Sequence, residues 1–106
     1  MKFSLLCTSL PSEEQANKLA REIINQQLAF CCWIRPAHTA MYRWNGEEQE
    51  DKEYELICKT LPTMIQSLTS FIQSQHPFEA PYIGVFSGDI MDLRYSAWVE
   101  ETLFKG

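Results

Sequence analysis

Apolar and polar residues alternate from the start of the chain: Phe3, Leu5 and Cys7 share one side of an extended segment, Ser4 and Thr8 the other. That period of two predicts a first strand over 2–8. Pro11 and Ser12 then open a helix, with Ser12 capping the free amides and Gln15 completing a capping box three residues on. Ala16, Leu19, Ala20, Ile23 and Ile24 recur at the helical period and form its apolar stripe. The apolar run 28–35 predicts a second strand, interrupted at Pro36 and resumed over 39–44. Asn45-Gly46 supplies a tight hairpin turn, and the return strand runs over 50–60, where Tyr54, Leu56 and Cys58 alternate with more polar positions. Pro62 suits the first turn of a second helix carrying Leu61, Ile65, Leu68 and Ile72 and ending near Gln75. Residues 76–81 form a loop, because two prolines four apart cannot continue a helix. A strand over 82–87, a turn at Gly88 and a short closing helix with Tyr95, Trp98, Val99 and Thr102 complete the chain.

Strand, helix, long hairpin, helix, strand is the split βαβ pattern. It predicts an α+β fold: a ferredoxin-like βαββαβ sandwich with an extended β-hairpin and a C-terminal helix, one domain over 1–106. One layer of helices covers only one face of such a sheet. Trp33, Met41, Tyr42, Trp44, Tyr54 and Phe86 are too many large apolar groups for a solvated second face. Packing against other subunits is the favoured explanation, with an apolar ligand as the alternative.

Composition narrows the class of function. Nine basic against fourteen acidic residues give a net charge of -5, which counts against nucleic-acid binding and against adsorption on anionic lipid. No stretch approaches the roughly 20 apolar residues of a membrane span. The apolar start is too short for a signal peptide and is broken by the polar residues after Pro11. Four cysteines without a Cys-x-x-Cys pair, and two histidines as far apart as His38 and His76, give neither a disulfide scaffold nor a zinc finger. Reduced thiols in the cytoplasm are the expectation.

No glycine-rich phosphate loop and no Gly-x-Ser-x-Gly elbow is present. Cys7 at the end of the first strand and His76 before the fourth can lie near each other in a split βαβ fold. The pair has three readings: a nucleophile with its base, a soft site for copper or zinc, or a buried apolar thiol beside a loop-capping imidazole. The acidic run through Glu47, Glu48, Glu50, Asp51, Glu53 and Glu55 lacks the looped pattern of a calcium site and reads as a solvated hairpin. Lys59-Thr60, with Arg35 and Arg43, is either an anion site or ordinary surface charge. Cys31 and Cys32 point to opposite faces of an extended segment and cannot share a site.

In combination these segments resemble the CutA family of divalent-cation tolerance proteins over nearly the whole chain. The resemblance is carried by Cys7-Thr8 before Pro11-Ser12-Glu13-Glu14, by Leu28-Ala29-Phe30-Cys31 and by Ile34-Arg35-Pro36. It continues through Tyr42-Arg43-Trp44-Asn45-Gly46, Glu53-Tyr54-Glu55 leading to Lys59-Thr60, the loop His76-Pro77-Phe78-Glu79-Ala80-Pro81, and Tyr95 with Trp98. It implies a homotrimer of PII-like architecture, a non-enzymatic role in tolerance of divalent metal ions, and binding of copper or another divalent cation. Family metal positions map onto Cys7 and His76, while a histidine that some members carry before the loop is Gln75 here. By analogy with PII-like trimers, an intersubunit cleft near Lys59, Glu79 and Tyr82 is the alternative site, for a small ligand in signalling or anchoring.

Overall fold

The computed structural model describes residues 1–105. Its elements are β1 (Lys2–Leu10), α1 (Glu13–Asn25), β2 (Cys31–Ile34), β3 (His38–Trp44), β4 (Glu47–Thr60), α2 (Ile65–Gln75), β5 (Gly84–Asp89) and α3 (Leu93–Glu100). A 3-10 turn, Pro62–Met64, leads into α2, and a π turn, Glu101–Lys105, follows α3. The sheet is antiparallel in the order β2-β4-β1-β5, with β3 paired further along β4. This is the predicted ferredoxin-like arrangement with its hairpin and closing helix.

Local chemistry sets the element ends. The Ser12 hydroxyl accepts from Gln15 N at 3.1 Å and donates to Gln15 Oε1 at 3.0 Å, so one pair of side chains starts α1. The helix stops where Gln27 takes a φ of 57°. Leu28 N then donates to Ile23 O and Gln27 N to Ile24 O, both at 3.0 Å, which is a Schellman stop with glutamine in the place usually held by glycine. That stop delays β2 until Cys31, three residues later than the apolar run suggested. Ile24, at the margin of the apolar stripe, is exposed. Asn45 (φ 51°) and Gly46 (φ 81°) make the two-residue turn between β3 and β4.

Two departures concern the sheet edges. Arg35 N still donates to Glu55 O at 2.9 Å, but the next pair is His38 with Glu53. Pro36 and Ala37 therefore stand opposite Tyr54 alone, a bulge that carries one extra residue into the hairpin. On the other edge, Gly88 lies inside β5 instead of turning the chain. The Phe3 ring covers it so closely that a Cβ there would fall 2.7 Å from a ring carbon.

The helices cover Ser4, Leu6, Thr8 and Leu10 of β1 and Leu56, Cys58 and Thr60 of β4. Leu19, Ile23, Leu68 and Ile72 pack onto them and close the main core. Tyr54, expected among the surplus aromatics, packs on this covered side. Thr60 Oγ1 donates to Leu28 O at 2.7 Å, whereas Thr8 Oγ1 has no partner. A second cluster of Phe30, Leu61 and Val99 joins α3 to Phe3 and Cys31, at one end of the opposite face. The β3–β4 hairpin projects as an arm: the molecule measures 48 × 24 × 24 Å with a radius of gyration of 14.9 Å, against about 13 Å for a compact chain of this length.

Candidate functional site

On the uncovered face, strand pairing lays out rows of side chains. One row runs Trp33, Ile57, Cys7, Gly84 across β2, β4, β1 and β5, and the next runs Cys31, Lys59, Leu5, Phe86. Cys7 and Ile57 are buried, while Trp33 and Phe86 are 47% and 54% exposed. The Lys59 ammonium sits 3.9 Å above the Trp33 ring, held by the ring's negative face. Gly84 leaves room beside Cys7, and the Tyr82 ring fills it: a Cβ on Gly84 would lie 2.3 Å from Tyr82 Oη. Burial first, and the Glu55 carboxylate second, push the Cys7 thiol above its ordinary pKa. Cys7 is therefore a protonated thiol at neutral pH.

His76 ends α2 and turns back to β1. β5 begins opposite Cys7, so the Ser9 carbonyl, one hydrogen-bonding position further along the same edge, has no strand partner. His76 Nε2 lies 2.9 Å from it, and Nδ1 accepts from Phe78 N at 3.1 Å. These two bonds define a neutral imidazole with its proton on Nε2. Burial lowers the pKa of His76, with the Ser9 carbonyl and Glu53 acting in the opposite sense. Cys7 and His76 thus meet the same stretch of β1. Among the described residues no hydrogen bond joins them, and no group of three or more His, Cys, Asp or Glu side chains assembles around a common point.

The cleft residues divide. Glu79 and Tyr82 line a cavity of about 460 Å³ between the 76–81 loop and the arm, together with Tyr42, Trp44, Glu53 and Phe78. Lys59 is not among its lining residues and stands on the sheet face. Tyr42 donates to the Asp51 carboxylate, which pushes its own pKa up. The aromatic lining was missed in the sequence because Tyr42 and Trp44 read as packing residues. The signal was their spacing of two, which puts both on one side of β3.

The fold and this surface define a ferredoxin-like α+β sandwich with a hairpin arm and one uncovered, strongly apolar sheet face. The sequence model of the family described as CutA1 divalent ion tolerance protein matches residues 4–102. The chain is 34% identical over 104 residues to the divalent-cation tolerance protein CutA of Thermococcus kodakarensis, covering 98% of this chain and 99% of that one. CutA1 from Oryza sativa superposes with a TM-score of 0.91 at 26% identity, over 100% of this chain and 97% of that one. The Cut A1 divalent cation tolerance protein of Thermus thermophilus gives 0.84 at 32% identity, over 92% and 94%. The chain belongs to the CutA1 divalent ion tolerance family.

Proposed function

We propose that the protein acts in divalent-cation tolerance as a cytoplasmic, non-catalytic homotrimer that binds copper or another divalent cation through Cys7 and His76. Family membership supports the tolerance role. The uncovered face, with Trp33 and Phe86 about half exposed, supports assembly, since large apolar groups gathered on one face mark a surface that another subunit covers. The observation that supports the metal reading is the bond from the neutral His76 imidazole to Ser9 O, two residues along β1 from the Cys7 thiol. Thiolate and imidazole are the donor types that copper selects. Two donors leave the remaining coordination positions to water or to a neighbouring subunit. Binding releases the proton of Cys7 and requires His76 to exchange either Ser9 O or Phe78 N for the metal. Metal uptake is therefore coupled to movement of the 76–81 loop and weakens in acid.

Calorimetric titration of the reduced protein with copper and zinc, beside Cys7→Ser and His76→Ala, tests this reading. One saturable site per subunit, lost in both variants, is expected. Binding that survives both changes rejects the pair as ligands. The cavity at Glu79 and Tyr82 favours a second reading, a PII-like signalling or anchoring trimer that takes a small ligand there. A melting shift that depends on a metabolite and disappears in Tyr82→Ala would select it.

A further inference from the structure

Two thiols outside that site face each other inside the covered side of the sheet. Cys32 and Cys58 are direct partners across β2 and β4, with their sulfurs 3.8 Å apart. Phe30 N donates to Lys59 O and Arg35 N to Glu55 O, so the ladder bonds toward this edge fall on odd positions of β4. Cys32 and Cys58 therefore form a non-hydrogen-bonded pair, for which the Cα atoms stand about 4.5 Å apart. A disulfide accepts Cα separations from about 4.4 to 6.8 Å. The backbone is already placed, and only side-chain rotation separates the two thiols from a bond.

We propose that Cys32 and Cys58 are a redox-active dithiol that closes to an intrachain disulfide, with a low-molecular-weight disulfide as oxidant. Access sets the order of events, because Cys58 is fully buried and Cys32 is only partly so. The Cys32 thiolate attacks one sulfur of the oxidant RSSR, the oxidant's S–S bond breaks, and the first RS⁻ leaves. The Cys58 sulfur then attacks the Cys32 sulfur of the mixed disulfide and expels the second RS⁻. The two thiol protons end on the two leaving groups. The balance is two protein thiols oxidised to one disulfide and one RSSR reduced to two RSH. The hydrogen bond between the two sulfurs lowers the pKa of Cys32, and the same bond with burial raises that of Cys58. Both directions agree with the attacking and resolving roles that access assigns.

The surroundings favour a disulfide over a metal clamp. Leu6, Ile34 and Leu56 belong to the same cluster, and among the described residues no third His, Cys, Asp or Glu completes a ligand group. Two thiolates on a single cation would place ionic charge in an apolar core, whereas the disulfide is neutral. The two cysteines are 26 residues apart and enclose the whole arm, so the bond would staple the arm's root to the body.

The test is equilibration of the reduced wild-type protein with glutathione disulfide, acid quenching, alkylation of the denatured chain and peptide mapping. Two of the four cysteines should become unreactive, joined as one Cys32–Cys58 crosslink that reduced glutathione reverses. Cys58→Ala should stop with one glutathione on Cys32, and Cys32→Ala should leave Cys58 unmodified. The wild-type map stands without either variant, so a variant that fails to fold leaves the test intact. Four reactive thiols at the most oxidising ratio, or a crosslink between any other two cysteines, overturns the proposal. Thiols that resist glutathione disulfide but are shielded by zinc would make the pair a metal clamp instead, which also overturns it.

Discussion

The two faces of the sheet are built from the same strands and differ in how they are completed. On one, Leu6, Leu10, Leu56 and Cys58 are sealed by α1 and α2, and even Ser4, Thr8 and Thr60 are buried. On the other, α3 covers the Phe3 and Cys31 end, while Trp33, Lys59 and Phe86 remain uncovered. The face with more polar residues is the one the chain buries itself. Burial is therefore decided by where the helices can reach, and the uncovered face is left for something outside the chain.

The largest expected effect breaks this contrast directly. Leu6→Ala should cost about 3 kcal/mol in urea unfolding, because a fully buried leucine leaves a cavity that its neighbours fill only in part. That loss should be the same at every protein concentration. Phe86→Ala should instead show a loss that grows on dilution, since a contact between subunits contributes by mass action. A concentration-independent loss at Phe86 would return that residue to the subunit core and remove the contrast.

A smaller effect sharpens it. Thr8→Val should raise stability by roughly 1–2 kcal/mol, because it removes a buried hydroxyl without a partner. A loss in the same denaturation curve would mean that the hydroxyl is satisfied in solution. The smallest effect is the pH dependence carried by His76. Its pKa is lowered on folding, so the unfolded chain binds the proton first as pH falls. The contribution of neutral His76 is intact above its ordinary pKa of about 6.5 and is lost as pH drops through that value toward the folded one. His76→Gln should flatten the melting temperature between pH 7.5 and 5.5, and an unchanged slope would assign the titration elsewhere.

Element order was legible because its signals are local: the Ser12 and Gln15 cap, the Asn45-Gly46 turn, Pro62 and the helical stripes. The edges were less legible. Whether Gly88 turns the chain or lies in a strand depends on Phe3, 85 positions away, whose ring covers it. The alternation along β1 is plain in the sequence, but which parity faces the helices depends on topology rather than on Ser4 or Leu5. At the site, the residue types of Cys7 and His76 were legible, but the bonds of His76 were not. Ser9 lacks a partner on its β5 side only because β5 starts at Gly84, a fact of pairing that single-chain spacing does not carry.

The extra residue at Pro36-Ala37 reaches further than the edge it distorts. Side chains in a strand follow an odd–even count, and one insertion exchanges the two sets for everything downstream. With the bulge, Tyr42 and Trp44 stand over Gln49 and Glu47 of β4 and look toward the 76–81 loop. Were Pro36 and Ala37 both paired in unbroken register, Met41 and Arg43 would occupy those places, and the aromatic wall would become a thioether beside a cation. The bulge thus absorbs the extra residue ahead of His38 and holds both aromatics at the pocket wall. Removing Ala37 would leave Pro36 alone opposite Tyr54 and erase the bulge, yet keep Tyr42 and Trp44 over Gln49 and Glu47.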